Sequence, residues 1–117
     1  MSGEIDIIDM TEGLQRVLNN KQLYIRLLKK FKNETNLSAL SDAISTNDLS
    51  TAREKAHTMK GIAANLSLKK LFLGVQELEA KVKEGIADTE MMKSIQDTFD
   101  ETIKKIEKVI EEDGSAT

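Results

Sequence analysis

A chain of 117 residues with a formal net charge of −3 and no cysteine, proline or tryptophan is sized for one domain with a modest core. The missing cysteines exclude a disulfide framework and any thiolate metal centre, and three phenylalanines with one tyrosine are too few for a base-stacking platform. The acidic balance, short apolar runs and lack of a basic-then-apolar leader point away from nucleic acid and membranes, toward a soluble cytoplasmic protein.

The chain is rich in Leu, Ile, Ala, Lys and Glu, and nothing in it breaks long helices, so an all-α fold is expected. Residues 1–8 read as a loose leader. Asp9, with Glu12 three residues on, suits a capping box opening a short helix whose apolar side is Met10, Leu14, Val17 and Leu18. Asn19-Asn20 ends it. A second helix carries Leu23, Tyr24, Leu27, Leu28 and Phe31. The apolar phase slips across 33–36 before Leu37, Leu40 and Ile44 resume it, which predicts a kink or a separate third helix. Asp48 caps a fourth helix with Leu49, Ala52, Ala56, Met59, Ala63 and Leu66, in alternating steps of three and four. Asn65 to Ser67 form the next turn, with Ser67 as a cap. The fifth helix uses Leu68, Leu71, Val75, Leu78 and Val82, and Gly85 stops it. Asp88 or Thr89 caps the last helix, which runs through Met92, Ile95, Phe99, Ile103, Ile106 and Ile110. Residues 113–117 read as a loose tail. Five to six helices with short connections imply an up-down antiparallel four-helix bundle, a single domain over 1–117 with the first helix as a lid, and a monomer.

The chain has one histidine. At about 100° of rotation per residue, His57 points away from the apolar stripe of the fourth helix, beside Arg53, Lys60, Gly61 and Ala64. Glycine in a helix interior costs about 1 kcal/mol relative to alanine. Gly61 therefore suggests close access to the imidazole by something large. Reflecting His57 across the antiparallel turn lands near Glu79, beside Leu78. A carboxylate there could accept the Nδ1 proton, fix the tautomer and leave the Nε2 lone pair free to attack. Lys60 would counter the oxygens of a transferring phosphoryl group.

These residues carry a family resemblance. Residues 56–85, AHTMKGIAANLSLKKLFLGVQELEAKVKEG, resemble the histidine-containing phosphotransfer (HPt) domain of multistep two-component signalling. The matching features are H-x-x-K-G at His57, Lys60 and Gly61, the Asn65-Leu66 helix end, and Leu71 through the Leu78-Glu79 pair. Asp9 to Leu18 and Tyr24 to Phe31 resemble the family's opening helices. The resemblance implies that His57 is phosphorylated on Nε2, that Lys60 steadies the phosphoryl group, and that Gly61 leaves room for the partner. Glu79 matches a position where the family carries a glutamine or glutamate bonded to the histidine. The implied partner is a response-regulator receiver domain, whose aspartate exchanges the phosphoryl group and whose acidic pocket holds Mg²⁺, with a hybrid histidine kinase as a second partner. The family binds no nucleotide, and the sequence has no G-x-x-x-x-G-K-[ST] loop. The protein would then be a free-standing phosphoryl carrier without a cofactor or metal of its own, rather than an enzyme.

Arg53, Lys55, Lys69 and Lys70 make the local surface basic, which suits an acidic receiver pocket. With the lid helix beside the fourth, the receiver would contact Gly61, Ala64, Arg53, Leu14, Val17, Leu18, Leu68 and Phe72. Two other classes remain open at this point: a helical adaptor that binds a receiver or kinase without transfer, and a metal-dependent hydrolytic bundle. The second would need more than one histidine and an inward Glu-x-x-His pair.

Overall fold

The structure, a computed structural model, describes residues 6–114. These form six helices and no strand: α1 (Met10–Arg16), α2 (Lys21–Glu34), α3 (Ser38–Ser45), α4 (Leu49–Asn65), α5 (Lys69–Lys83) and α6 (Thr89–Glu112). Four starts are fixed by short polar side chains. Asp9, Asn20, Asp48 and Asp88 accept the backbone N–H groups of Glu12, Leu23, Thr51 and Met91 at 2.9–3.2 Å. Each such cap is worth about 1 kcal/mol. Gly85, at φ 88°, supplies the left-handed residue that ends α5.

α4 and α5 fold back on each other through the turn at 66–68, and α5 packs against α6. The remaining wall is shared by α2 and α3, which together act as one bundle element broken in two. Tyr24 at the start of α2 donates from Oη to the Leu66 carbonyl at the end of α4, at 2.7 Å. Further along, the Phe31 and Phe99 rings lie 5.7 Å apart. At the far end, Ile44 of α3 and Met92 of α6 flank one depression. Both pieces thus run antiparallel to α4 and α6. The break is where the apolar phase slips. Thr35 is extended, at φ −110° and ψ 136°, and Asn36 accepts the Ser38 N–H to restart the helix. An up-down four-helix bundle results. Its core is built on Tyr24, Leu28, Leu71, Val75, Leu78 and Ile106, all fully buried. Burying an aliphatic side chain of this size contributes about 1.5–3 kcal/mol. Among the described residues no helix is long and apolar enough to cross a membrane.

Several local expectations need correction. α1 ends at Arg16, so Leu18 lies beyond it at φ 55° and is 91% exposed, not on the apolar side of a helix. Glu12 does not close a capping box, because its carboxylate accepts Ser67 Oγ and Lys69 Nζ, both at 2.8 Å. Ser67 is therefore no helix cap: it sits at φ 57° in the turn, its hydroxyl spent on Glu12. With Asp9 N–H donating to Ser67 O at 2.9 Å, these bonds place the lid across the α4–α5 turn rather than along the flank of α4. Gly13 makes this fit possible, since a Cβ there would collide with the Tyr24 ring. The hydrogen bond from Lys69, helped by that from Ser67, holds the Glu12 carboxyl below the ordinary glutamate value. In α6 it is Thr102 that is fully buried, with Ile103 only half-buried; the Thr102 hydroxyl donates to Thr98 O at 2.7 Å. Of the leader, residues 1–5 lie outside the described residues, and Ile8 is buried in the core. In the tail, Asp113 takes an ion pair from Lys21 at 3.3 Å, and 115–117 lie outside the described residues.

Candidate functional site

α4 buries a thin stripe, Ala52, Ala56, Met59 and Ala63, three of its four positions being alanine. Small side chains along a helix face let its neighbours approach closely. His57 stands midway along the 17-residue helix, off this stripe, with its side chain 73% exposed. On α5, Glu79 follows the buried Leu78 and its side chain is only 5% exposed. Glu79 Oε2 lies 3.1 Å from His57 Nδ1. Its Oε1 receives Lys60 Nζ at 2.6 Å, and Lys83 Nζ stands 3.9 Å from Oε2.

A carboxylate this deep needs partners, and it has them. The hydrogen bond from Lys60 is the main cause holding Glu79 below the ordinary glutamate value. Burial pushes the other way, and the His57 bond and the charges of Lys60 and Lys83 add to the lowering. Glu79 is thus ionised at neutral pH, and an ionised carboxylate only accepts. The proton between Glu79 and His57 must therefore sit on Nδ1. In the neutral ring this leaves the lone pair on Nε2, on the exposed side. The arrangement is an oriented nucleophile on a rigid helix.

Gly61, one turn beyond His57, is exposed, and a Cβ built on it meets nothing within 4 Å. No packing contact accounts for it. The Hpt domain family matches residues 26–113, which include α3, α4, α5, α6 and most of α2. The chain belongs to the Hpt domain family. Hpt domains are phosphocarrier modules of two-component phosphorelays, not classical enzymes, and they work with receiver domains and kinases. No curated protein and no solved structure gives a significant match to the chain.

The remaining residues singled out from the sequence lie on α4, on α5, in the turn between them, and on or just beyond the lid of this Hpt domain. Arg53 is exposed one turn before His57. Ala64 and Phe72 are half-buried, and Leu14 is half-buried on the lid, with Leu18 fully out in solvent beyond it. Leu68 is withdrawn from any docking surface: it is fully buried in the turn between α4 and α5, as an apolar residue beneath a docked lid must be. Two features were missed. Lys83 follows Glu79 by one turn, a spacing that puts both on one face, and its ammonium stands by the same carboxylate. Beside Gly61, Ile62 joins Leu27, Phe31 and Leu66 in an apolar depression between α2 and α4, which no single helix pattern reveals.

Proposed function

We propose that His57 accepts a phosphoryl group on Nε2 from the aspartyl phosphate of a receiver domain, or from a hybrid histidine kinase, and passes it to a second receiver. The observation that carries this reading is the ionised, buried Glu79 at Nδ1 with the opposite ring edge in solvent. In the forward step the Nε2 lone pair attacks phosphorus, the P–N bond forms, and the P–O bond to the donor aspartate breaks with that carboxylate as leaving group. The ring keeps its Nδ1 proton, and its new positive charge faces Glu79. The return step reverses these bonds onto another aspartate.

Lys60 is already committed to Glu79, so it steadies phosphoryl oxygens by dividing its hydrogen bonds between the two. Gly61 gives the receiver room beside the ring. The Mg²⁺ held by the receiver supplies charge neutralisation for the transferring group, and the chain brings no cofactor, metal or nucleotide of its own to the step. Docking over the His57 face engages Gly61, Ala64, Arg53 and Phe72 and extends across the α4–α5 turn to Leu14 and Leu18, with basic side chains toward the acidic receiver pocket. A cytoplasmic monomer with one domain suits this role.

The test is incubation with a labelled phosphoreceiver. Wild type should acquire an acid-labile, base-stable label, the profile of a phosphoramidate, and His57→Gln should acquire none. Binding without label in wild type would instead favour the adaptor reading.

A further inference from the structure

The cations around His57 are not equivalent. Lys60 and Lys83 both point at Glu79, at 2.6 and 3.9 Å. Arg53 makes no ion pair among the described residues and is exposed. It lies four residues before His57, one helical turn or about 6 Å along the axis. Because α4 and α5 are antiparallel, Arg53 and Lys83 stand level with each other, on the side of the ring opposite Lys60. There the surface opens into a depression of about 400 Å³ lined by Ser50, Arg53, Glu54, His57, Glu79 and Lys83. Lys60 takes no part in its walls. A group added to the exposed ring thus finds space on the Arg53 side, where the single uncommitted cation is a guanidinium. That fork matches phosphate oxygens in geometry better than an ammonium does. Glu54 on the rim is the one opposing charge besides Glu79.

We infer that Arg53 is a phosphoryl-oxygen ligand of phosphorylated His57, seating the group at the mouth of the depression between α4 and α5. This rests on the proposal that His57 carries the phosphoryl group, and adds to it a second holding cation, on the N-terminal side of the ring. Lys60 and Lys83 keep Glu79 ionised, Lys60 lending its remaining hydrogen bonds to the phosphoryl group, and Arg53 holds that group from the other side of the ring. Before phosphorylation Arg53 has no ion-pair partner among the described residues to lose, so it contributes little to the stability of the fold.

The single histidine makes the test clean. Phosphoramidate serves as donor: the Nε2–P bond forms as the donor P–N bond breaks and ammonia leaves. The phosphorus resonance of the product is then followed against pH. A nearby cation favours the dianion, so Arg53→Ala should raise the midpoint of the second phosphoryl ionisation by about half a unit, roughly threefold in proton affinity, as expected for one exposed charge pair. Arg53→Lys should recover part of the shift. Lys55→Ala, which removes the same charge from α4 outside the depression, should leave the midpoint in place. All three unphosphorylated variants should melt with wild type. An Arg53→Ala midpoint equal to wild type, or a Lys55→Ala shift as large, overturns the assignment whatever the melting temperatures. Failure of wild type to take phosphate on His57 would instead sink the carrier proposal itself.

Discussion

Replacing Gly61 separates stability from transfer. Its Cβ position is empty to 4 Å, it lies well inside α4, and its φ is not positive. Alanine there incurs no clash and removes the entropy cost of glycine in a helix, a gain of about 0.5–1 kcal/mol. Glutamine, also a good helix former, gains slightly less. For a chain of this size that raises Tm by roughly 2–4 °C. The same added atoms occupy the space beside the ring into which, on the proposed docking, a receiver would descend. Gly61→Gln should therefore slow phosphotransfer from a phosphoreceiver at least tenfold, equivalent to about 1.4 kcal/mol of barrier. Thermal and urea melts give the first quantity and single-turnover label transfer the second. A less stable Gly61→Ala would show that the glycine is needed for packing, and undiminished transfer in Gly61→Gln would show that the receiver docks elsewhere.

Gly13 should respond in the opposite direction. Gly13→Ala drives a methyl into the buried Tyr24 ring, whose hydroxyl is tied to Leu66 O, so a loss of about 1–3 kcal/mol is expected in urea melts despite alanine's better propensity. Glu79→Gln should cost about 1–3 kcal/mol at neutral pH, since Lys60 and His57 then compete for one neutral amide. The folded-state pKa of Glu79 is lowered, so its stabilising contribution is full above the ordinary value of 4.5 and is lost as pH falls through the folded value. The Tm gap between wild type and Glu79→Gln should accordingly be widest near neutrality and close in acid. A gap of constant size from pH 7 to pH 3 would contradict the ionised carboxylate.

Much of this geometry is legible in the residues because short connections fix register. The turn at 66–68 leaves α5 no choice but to run back along α4, which brings Glu79 level with His57. Asp9, Asp48 and Asp88 announce helix starts because an Asx oxygen three residues before a free N–H has few other uses. Periodicity fails where tertiary contacts choose among local options. Glu12 has the spacing of a capping residue, yet Ser67 and Lys69, more than fifty residues away, offer it better partners. Leu68 could sit on either side of its turn until the lid is docked. Lys60 shares the flank of His57 by spacing alone, but nothing in the pattern says that its ammonium turns inward to a buried carboxylate.

The imidazole lies on the flank of the bundle with nearly three quarters of its side chain in water. A phosphate carried there, as proposed, would sit open to water, so hydrolysis and onward delivery would compete from the moment it arrived. How much signal survived the journey would then be governed by the abundance and encounter rate of the next protein in line, with the scaffold acting as a perch and not as a vault.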